Sequence, residues 1–411
     1  MVAILGFSRE RIFDAVKDMY TSVANAPERP YHFPVGREAG LIAGYPQDVL
    51  DAVPAATLAS FAGVAYPFRA GVIGKGDTVL DIGAGAGTDS WIAAQRVGPR
   101  GKVYALDMTP AMLARLRALA ASVPNLEVLE GNAESLPLPD ASVDVVTSNG
   151  MLNLVPDKRR AIAEIFRVLK PGGRVQIADI VIRRPVTFDC KTDPELWAEC
   201  VVGASIDEDY LAAFRDAGFE DVAVLREFDF FSHSRSAYTR QVARRFGARA
   251  IEIAMRRAAQ APPLWVRWAR RADPRRAVRA IQRRGLAGAA ALGAAMLTCY
   301  GTLAATALLS LAGVTLAVNG GAVSAAILAF GALAVIAVAA GVRKHGRYTP
   351  TAIAIAGGAI LLYAHLVNFS FAVEALGFVA IGIATWLDHR AREPALPARR
   401  KGAAAEETAA S

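Results

Sequence analysis

Residues 78–89 read Thr-Val-Leu-Asp-Ile-Gly-Ala-Gly-Ala-Gly-Thr-Asp, an apolar run that ends in a glycine-rich turn with a carboxylate on each side. The apolar residues predict a buried parallel strand: Val79, Leu80 and Ile82. Glycines let the backbone turn tightly and approach a ligand, and here they are Gly83, Gly85 and Gly87. Residues 90–95 then predict a helix. A strand, a glycine-rich turn and a helix in this order are typical of a nucleotide-type cofactor site.

A second predicted strand, residues 103–106, ends at Asp107. This carboxylate follows Gly83 by 24 residues, which is near the spacing at which an acidic residue takes a ribose diol. The glycine turn alone is also compatible with a dinucleotide site or with an ordinary tight turn between a strand and a helix.

Three further segments follow in the order of a single parallel sheet. Residues 126–129 predict a third strand, which leads into Gly-Asn-Ala-Glu-Ser-Leu-Pro at 131–137; residues 142–149 predict a fourth, and Leu-Lys-Pro-Gly-Gly-Arg at 169–174 precedes a fifth. This order resembles the class I S-adenosylmethionine-dependent methyltransferases. The resemblance implies an α/β fold, a Rossmann-like sheet with helices on both faces. The alternative, a dinucleotide-binding oxidoreductase, does not account for four such motifs in this order.

The resemblance also implies a cofactor, S-adenosylmethionine, and a set of residues that hold it. In the family the glycine turn faces the methionine part, the acid after the second strand holds the ribose hydroxyls, and the polar residue after the third strand lies near adenine. The implied cofactor-binding residues are Asp81, Gly83, Gly85, Gly87, Asp107, Met108, Asn132, Ala133 and Ser148. The fourth strand faces the substrate, which makes Asn149 a candidate catalytic residue.

Four segments look like the arsenite methyltransferase branch, and this resemblance covers roughly residues 8–235: residues 103–113, 148–154, 157–158 and 196–204. Those enzymes bind As(III) through cysteine thiolates, which are soft ligands for a soft metalloid. Cys200 falls on one of the family's cysteine positions and is the second candidate catalytic residue.

The other cysteine positions of that branch hold different residues. Gly150 and Ser90 stand at two of them, and Phe-Ala-Gly-Val-Ala-Tyr-Pro at 61–67 replaces a cysteine-containing segment, so the family's trithiolate cannot be built. Cys190 lies ten residues before Cys200 and is the candidate for a second thiolate in a metal or metalloid site. The alternative is that both are ordinary reduced cysteines of a cytosolic protein.

The carboxyl-terminal part of the chain has a different composition. The protein has 411 residues, 54% of them apolar, with a net charge of +8, and no charged residue lies between Arg284 and Arg343. Four apolar spans follow one another, at residues 287–312, 322–342, 351–367 and 371–387. The first two are long enough for a hydrocarbon core of about 30 Å, and the last two are near the lower limit. These spans predict a four-helix transmembrane bundle, because no polar face recurs as a soluble bundle would require.

Arginine and lysine occur before the first span, between the second and third, and after the fourth, whereas the two other loops carry no charge. The positive-inside rule therefore predicts a multi-pass protein of the inner (cytoplasmic) membrane, with both termini and the methyltransferase domain in the cytoplasm.

These patterns predict five regions. They are an amino-terminal helical cap at the substrate mouth (1–72), the methyltransferase domain (73–239), a basic amphipathic linker on the membrane surface (240–285), the four-span domain (286–388) and a disordered cytoplasmic tail (389–411). The linker is rich in arginine and abuts a membrane span, which favours lipid over its alternative partner, a nucleic acid. The expected partners are thus a small-molecule acceptor and the lipid bilayer, with no nucleic acid, and the oligomeric state is left open.

Segments of the four spans look like the MerC-like family of bacterial mercury-resistance membrane proteins: residues 295–301, 363–365, 374–378 and 384–386. Members carry a cysteine pair in the first span, whereas this chain has only Cys299 there. His365 and Glu374 are ionisable residues inside predicted spans, where such residues are functional candidates unless they snorkel or pair.

Two functions follow. The first is a membrane-anchored methyltransferase acting on a small acceptor such as a metalloid or another soft nucleophile. The second is a metal-handling membrane protein with an accessory or degenerate methyltransferase domain.

Overall fold

The structure is a computed structural model, and it describes residues 9–184, 203–260, 286–302 and 320–392, with a few single positions between 261 and 285. The chain divides into two compact units, with the boundary after Arg271. Each unit is described by itself below.

The first unit combines helices with one eight-stranded sheet. Its helices are α1 (Arg9–Asn25), α2 (Gly36–Ala43), α3 (Gln47–Ala52), α4 (Ala55–Leu58), α5 (Thr88–Val97), α6 (Pro110–Ala120), α7 (Lys158–Val168), α8 (Asp207–Ala217) and α9 (Ala237–Phe246). Its strands are β1 (Thr78–Ile82), β2 (Lys102–Asp107), β3 (Leu126–Glu130), β4 (Val143–Asn149), β5 (Leu169–Ile182), β6 (Ser205–Ile206), β7 (Phe219–Phe228) and β8 (Arg249–Arg257). Short 3-10 helices lie at Pro67–Ala70, Leu152–Leu154 and Phe230–His233.

The strand order is β3-β2-β1-β4-β5-β8-β7, with β6 paired to β5. The pairs among β1 to β5 are parallel, and the two pairs made by β8 are antiparallel. In the central register, Val79 lies opposite Val103 on one side and Val145 on the other. Buried apolar clusters cover both faces of this sheet. The predicted Rossmann-like sheet with helices on both faces is therefore confirmed.

The local sequence explains why these segments form their elements. In α7 the buried residues recur every three or four positions, as they must on one face of a helix: Ala161, Ile162, Ile165 and Val168. The Asp157 carboxylate accepts a hydrogen bond from the Arg160 amide at 3.1 Å and so caps the first turn of α7. In β1 consecutive apolar residues are buried, as expected of a strand that is covered on both faces.

The sheet extends further along the chain than the sequence predicted. The linker was expected to begin at residue 240, but α9 packs in the first unit's core and β8 pairs with β5 over eight residue pairs. The arginine-rich composition of this segment did not indicate a strand. The buried side chains of β8 are nevertheless apolar, except for Glu252. Glu252 in β8 is buried and is held by an ion pair with Arg69 at 2.5 Å.

The second unit is made of long apolar helices: α10 (Ala287–Met296), a π-helical turn (Leu297–Gly301), α11 (Gly320–His345), α12 (Thr349–Leu366) and α13 (Phe371–Arg392). Among the described residues, α11, α12 and α13 are long and apolar enough to cross a membrane, and Ala287–Gly301 is a shorter apolar helix. The first predicted span is described only as far as residue 302.

Small residues let these helices approach closely. A Cβ atom added at Gly377 would lie 3.1 Å from the carbonyl oxygen of Gly357, so α12 and α13 touch backbone to backbone at that level. Close packing through glycine and alanine is typical of helices in lipid.

Candidate functional site

One large cavity opens at the carboxyl ends of the central parallel strands of the first unit. Its empty space, counting the part that is open to solvent, is about 940 Å³. The lining comes from the residues after β1, β2, β3 and β4, with α1 and the segment before β1 on the other side. In open α/β sheets, ligands bind at this edge, where the strand order reverses.

The glycine-rich turn has the conformation that its sequence predicts. Gly83, Gly85 and Gly87 have φ angles of 76°, 56° and 99°, in the left-handed region that residues with a side chain rarely adopt. Gly83 and Gly85 line the cavity. Gly87 does not, because it faces α6: an added Cβ there would lie 2.6–2.7 Å from the side chains of Leu119 and Leu116. The third glycine therefore serves packing.

Asp107, at the end of β2, is buried at the floor of the cavity. Its two carboxylate oxygens accept hydrogen bonds of 2.8 Å from the amides of Gly85 and Thr109, so the carboxylate ties the end of β2 to the glycine turn. Burial raises its pKa, while these backbone hydrogen bonds act in the opposite direction. The Thr109 side chain and the Met108 amide also donate to this carboxylate. A carboxylate accepts through both oxygens, which is the chemistry that a ribose diol requires.

The predicted adenine side also lines the cavity, through Met108, Asn132 and Ala133. The Asn132 side chain accepts a hydrogen bond of 2.9 Å from the amide of Glu134, which shapes this loop. Glu134 is buried and forms an ion pair with Arg9 at the start of α1. The first helix is thus attached directly beside the Asn132 loop, and its predicted role as a cap over the cofactor stays a prediction.

Two buried aspartates lie under the cavity, one on each side of the glycine turn. Burial raises the pKa of Asp81 to about 8, and the nearby charge of Asp89 adds to this shift. Burial also raises the pKa of Asp89 to about 6, where hydrogen bonds from Tyr45 and Asn149 oppose it. Ser90 donates a hydrogen bond to Asp81 at 2.6 Å. Two carboxylates with displaced pKa values beside a cavity are typical of a functional site.

The side chain of Asn149 is fully engaged at the end of β4. Its oxygen accepts a hydrogen bond from the amide of Val64 at 2.8 Å, and its nitrogen donates to the carbonyl of Ala65 at 2.9 Å and to Asp89 at 3.0 Å. The Tyr45 hydroxyl donates to the other oxygen of Asp89 at 2.5 Å. Asn149 lines the cavity, but its contacts are those of a residue that positions the wall. Its predicted catalytic role stays a prediction.

Asp89 lines the cavity and Tyr45 donates a hydrogen bond to it, and neither residue was predicted from the sequence to belong to the site. Asp89 is the second carboxylate of the decisive stretch, so a signal for it was present. Tyr45 is fully enclosed and lies 44 residues earlier in the chain. Nothing in its own neighbourhood of the sequence indicates that it reaches this site.

Ser148 is predicted to bind the cofactor, but the structure places it elsewhere. Its hydroxyl donates to the carbonyl of Ile82 at 3.0 Å inside the sheet, and the residue is completely buried without lining the cavity. Side chains alternate across a strand, so Ser148 and the cavity-lining Asn149 point to opposite sides. Cys190 and Cys200 lie outside the described residues.

The rest of the cavity lining is largely apolar. It includes Phe13, Val16 and Tyr20 of α1, with Phe61, Met151 and Leu154. No cysteine is among the lining residues in the described part of the chain. At one position where the arsenite branch has cysteine, Gly150 has a φ angle of 72°, and an added Cβ would lie 3.2 Å from Val64. A cysteine there would be strained in this backbone.

The residues that line the cavity fit S-adenosylmethionine. A sulfonium and an ammonium group give this cofactor positive charge at the methionine end, where the buried Asp81 and Asp89 lie. Asp107 and Asn132, the predicted contacts of the ribose and the base, line the same cavity, and these two roles stay predictions. When bound, the cofactor supplies a methyl group that its sulfonium has already activated.

The sheet, the glycine turn and the carboxylate at the end of β2 are typical of class I methyltransferase domains, whose cofactor is S-adenosylmethionine. A methyltransferase domain model matches residues 73–218, and a model of the MerC mercury resistance protein matches residues 286–390. The chain is therefore a fusion of a methyltransferase domain, which has arsenite methyltransferases among its relatives, with a MerC domain.

Two arsenite methyltransferases each match more than a third of this chain. An arsenite methyltransferase of Halobacterium salinarum is 43% identical over 164 residues, 39% of this chain and 42% of the relative. An arsenite methyltransferase of Mus musculus is 34% identical over 152 residues, 34% of this chain and 40% of the relative. The chain thus spans about two fifths of the length of these relatives.

Two further similarities were found. A demethylmenaquinone methyltransferase of Listeria monocytogenes is 41% identical over 107 residues, 26% of this chain and 45% of the relative. An arsenic(III) S-adenosylmethionine methyltransferase structure from Chlamydomonas reinhardtii is 31% identical, with 57% of this chain and 75% of that chain covered and a TM-score of 0.43.

Proposed function

We propose that this protein is a membrane-anchored methyltransferase that transfers the methyl group of S-adenosylmethionine to a small acceptor with a soft or apolar character. The observation that carries the proposal is the lining of the cavity, which combines the carboxylates of Asp81, Asp89 and Asp107 with a larger number of apolar side chains. The acceptor class includes metalloids, because the related enzymes named above are arsenite methyltransferases.

Methyl transfer depends more on the positioning of the nucleophile relative to the methyl group than on acid–base chemistry. The nucleophile must approach in line with the activated methyl group, and water must be kept out. Phe13 and Tyr20 of α1 supply an apolar cover, and Asn149 holds the adjoining loop at Val64 and Ala65. A soft lone pair needs no general base, so a wall without a free base is compatible with catalysis.

Calorimetry of the detergent-solubilised protein with S-adenosylmethionine and S-adenosylhomocysteine tests the enzyme assignment. We expect both to bind at the cavity. If neither binds, the methyltransferase domain is degenerate and the proposed activity is wrong.

Arsenite is tested by release of S-adenosylhomocysteine with and without As(III). Because three cysteine positions of the arsenite branch hold other residues, most of the soft-ligand capacity is gone, and we expect no stimulation. Stimulation in the wild type that disappears in Cys190→Ser or Cys200→Ser would instead establish a two-thiolate site, since a hydroxyl is a hard and barely ionised substitute. Asp107→Ala is the control, because it should lower turnover with any acceptor.

A second candidate function is metal handling by the MerC domain, with the methyltransferase as an accessory. The match at residues 286–390 favours it, while the single cysteine of the first span argues against passage of a metal between two thiolates. Uptake of Hg(II) by cells that express the protein distinguishes the two. Uptake that persists in Asp107→Ala and is lost in Cys299→Ser would support the second function.

The membrane anchor and its direction are tested by reporter fusions. We expect fusions after Gly320 and Phe369 to lie outside the cytoplasm, and fusions after His345 and Ser411 to lie inside, because the basic loops stay on the cytoplasmic side. A cytoplasmic reporter at Gly320 would contradict the four-span topology.

A further inference from the structure

Four polar side chains from four helical segments meet inside the second unit. The Glu374 carboxylate on α13 accepts a hydrogen bond from the Cys299 thiol at 3.3 Å, and the same oxygen lies 3.1 Å from Nε2 of His365 on α12. The other ring nitrogen of His365 lies 3.2 Å from the hydroxyl of Ser324 on α11. We call these residues the thiol–carboxyl–imidazole cluster.

The cluster is enclosed by apolar helices. The side chains of Glu374 and His365 are 1% and 4% exposed, and Cys299 packs in an apolar cluster with Ala295, Ile327 and Phe378. Tyr300 is a further titratable side chain that interacts electrostatically with Glu374. An ionised carboxylate is costly in such surroundings unless a positive charge or a proton compensates it.

The second oxygen of Glu374, Oε2, is buried and has no hydrogen-bond partner. A buried carboxylate oxygen without a hydrogen-bond partner is unusual. Protonation of Glu374 at Oε2 would explain it, because a carboxylic acid is neutral. The cluster can then exist in two electrically neutral forms: a protonated Glu374 beside a neutral imidazole, or a carboxylate beside an imidazolium. These two forms hold the same number of protons. Adding one proton to the carboxylate–imidazolium form gives a carboxylic acid beside an imidazolium, and removing that proton as the pH rises restores the carboxylate with its imidazolium partner.

Two features separate this cluster from an ordinary structural pair. Cys299 lies in the π-helical turn Leu297–Gly301, and such turns inside α-helices occur frequently at functional sites. Within the described residues, no group of three histidine, cysteine or acidic side chains has the arrangement to hold a metal ion. The unpartnered Oε2 of Glu374 is a position at which a proton can be held.

We propose that the thiol–carboxyl–imidazole cluster is a reversible proton-binding site within the MerC domain, with Glu374 as the group that gains and loses the proton. The proposal is independent of the methyltransferase function. It gives the helical unit a response to pH that an inert anchor would lack.

A second buried acid on the same helix provides a matched control. Asp388 lies 14 residues after Glu374, or roughly 21 Å along α13. One of its oxygens lies 2.9 Å from Nε2 of His345, and the other forms an ion pair with Arg392 at 2.7 Å. Because arginine keeps its positive charge at any ordinary pH, Asp388 has a permanently charged partner.

The test is infrared difference spectroscopy of the full-length protein in detergent, titrated from about pH 5 to about pH 9. We expect the carbonyl band of a buried carboxylic acid to decrease as the pH rises. One component of this signal should be lost in Glu374→Gln and kept in Asp388→Asn. In His365→Gln that component should persist to alkaline pH, because no imidazolium can form to compensate the carboxylate.

Asp81 also titrates as a buried acid, and its component should appear in every variant as an internal reference. Binding of S-adenosylmethionine checks that the first unit of each variant is folded. A monodisperse profile in size-exclusion chromatography checks that the second unit is folded. A difference signal that is identical in the wild type and Glu374→Gln would overturn the proposal. A Glu374 component that does not change with pH would do the same, since it would show a permanently protonated structural pair.

Discussion

Both units of this protein bury carboxylates, but the methyltransferase domain places them around a cavity, whereas the MerC domain encloses them between packed helices. Asp81, Asp89 and Asp107 line a space of about 940 Å³ and receive hydrogen bonds from serine, tyrosine, asparagine and backbone amides. Glu374 and Asp388 are each paired with a histidine from a neighbouring helix.

The difference shows two ways of making a buried charge tolerable. Around the cavity, donors within the first unit stabilise the carboxylates before any ligand arrives, and a cationic cofactor adds to that stabilisation. Between apolar helices no such ligand is needed, because a histidine on the next helix supplies the compensating group. The first arrangement is a preformed ligand site, and the second is suited to a proton.

The largest effect is expected at the glycine turn, where packing and backbone conformation coincide. Gly87→Ala places a Cβ 2.6–2.7 Å from Leu119 and Leu116 at a φ angle of 99°, so it should destabilise the methyltransferase domain by about 3 kcal/mol. Gly76→Ala is the matched control, because its φ angle of 86° brings a similar strain with no atom within 4 Å, and it should cost about 1 kcal/mol. Denaturant unfolding measures both. Equal losses would show that packing against α6 contributes nothing.

Cofactor affinity should depend next most strongly on Asp107. Asp107→Ala removes acceptors for two ribose hydroxyls and should weaken S-adenosylmethionine binding by about 1.5–3 kcal/mol, which is roughly 10- to 150-fold in Kd. Calorimetry measures the change, and Asp107→Asn, which keeps one oxygen acceptor, should give an intermediate loss. An unchanged affinity in Asp107→Ala would contradict the ribose assignment.

The stability of the methyltransferase domain without cofactor should decrease as the pH rises. Asp81 has its pKa raised from 3.8 to about 8 in the folded state, so the folded protein binds this proton more tightly than the unfolded chain does. This stabilisation is fully present below about pH 4 and is lost as the pH rises through about 8. Thermal melting of Asp81→Asn should show a flatter dependence between these limits. A wild-type profile that rises over this interval, with Asp81→Asn no different, would contradict the assignment.

The smallest effect is expected at Ser148. It distinguishes a side chain that bonds only within the sheet, as in the structure, from the cofactor contact that the family resemblance predicts. Because its hydroxyl bonds only the carbonyl of Ile82 within the sheet, Ser148→Ala should cost about 1 kcal/mol of stability and leave the Kd for S-adenosylmethionine unchanged. A tenfold weaker Kd in this variant would show that Ser148 contacts the cofactor after all.

Much of the first unit was predictable because its signals are local. Glycines 83, 85 and 87 adopt the backbone angles that only glycine adopts easily, and Asp107 follows directly from the end of an apolar strand. Strand β8 was missed for the opposite reason. Its pairing with β5 joins segments about 75 residues apart, and its arginines resemble a membrane-surface linker when they are read without that partner.

In the second unit, composition indicated apolar spans, and the three spans described in full are present as long helices. Cys299, His365 and Glu374 were each noticeable as polar residues in apolar surroundings. The sequence could not predict that the Cys299 thiol and the His365 ring both contact one oxygen of Glu374. Cys299 and Glu374 are 75 residues apart in the chain and lie on different helices.

The sequence by itself determined the fold class of each unit, the conformation of the glycine turn and the place of Asp107 at the end of a strand, because backbone conformation and apolar periodicity are local properties of the chain. Only the tertiary structure decided which side chains share a site: the Tyr45–Asp89–Asn149 contacts, the packing role of Gly87, the removal of Ser148 from the cavity, and the thiol–carboxyl–imidazole cluster. These depend on the side to which each side chain points and on contacts between distant segments, and both are settled only when the helices and strands pack together.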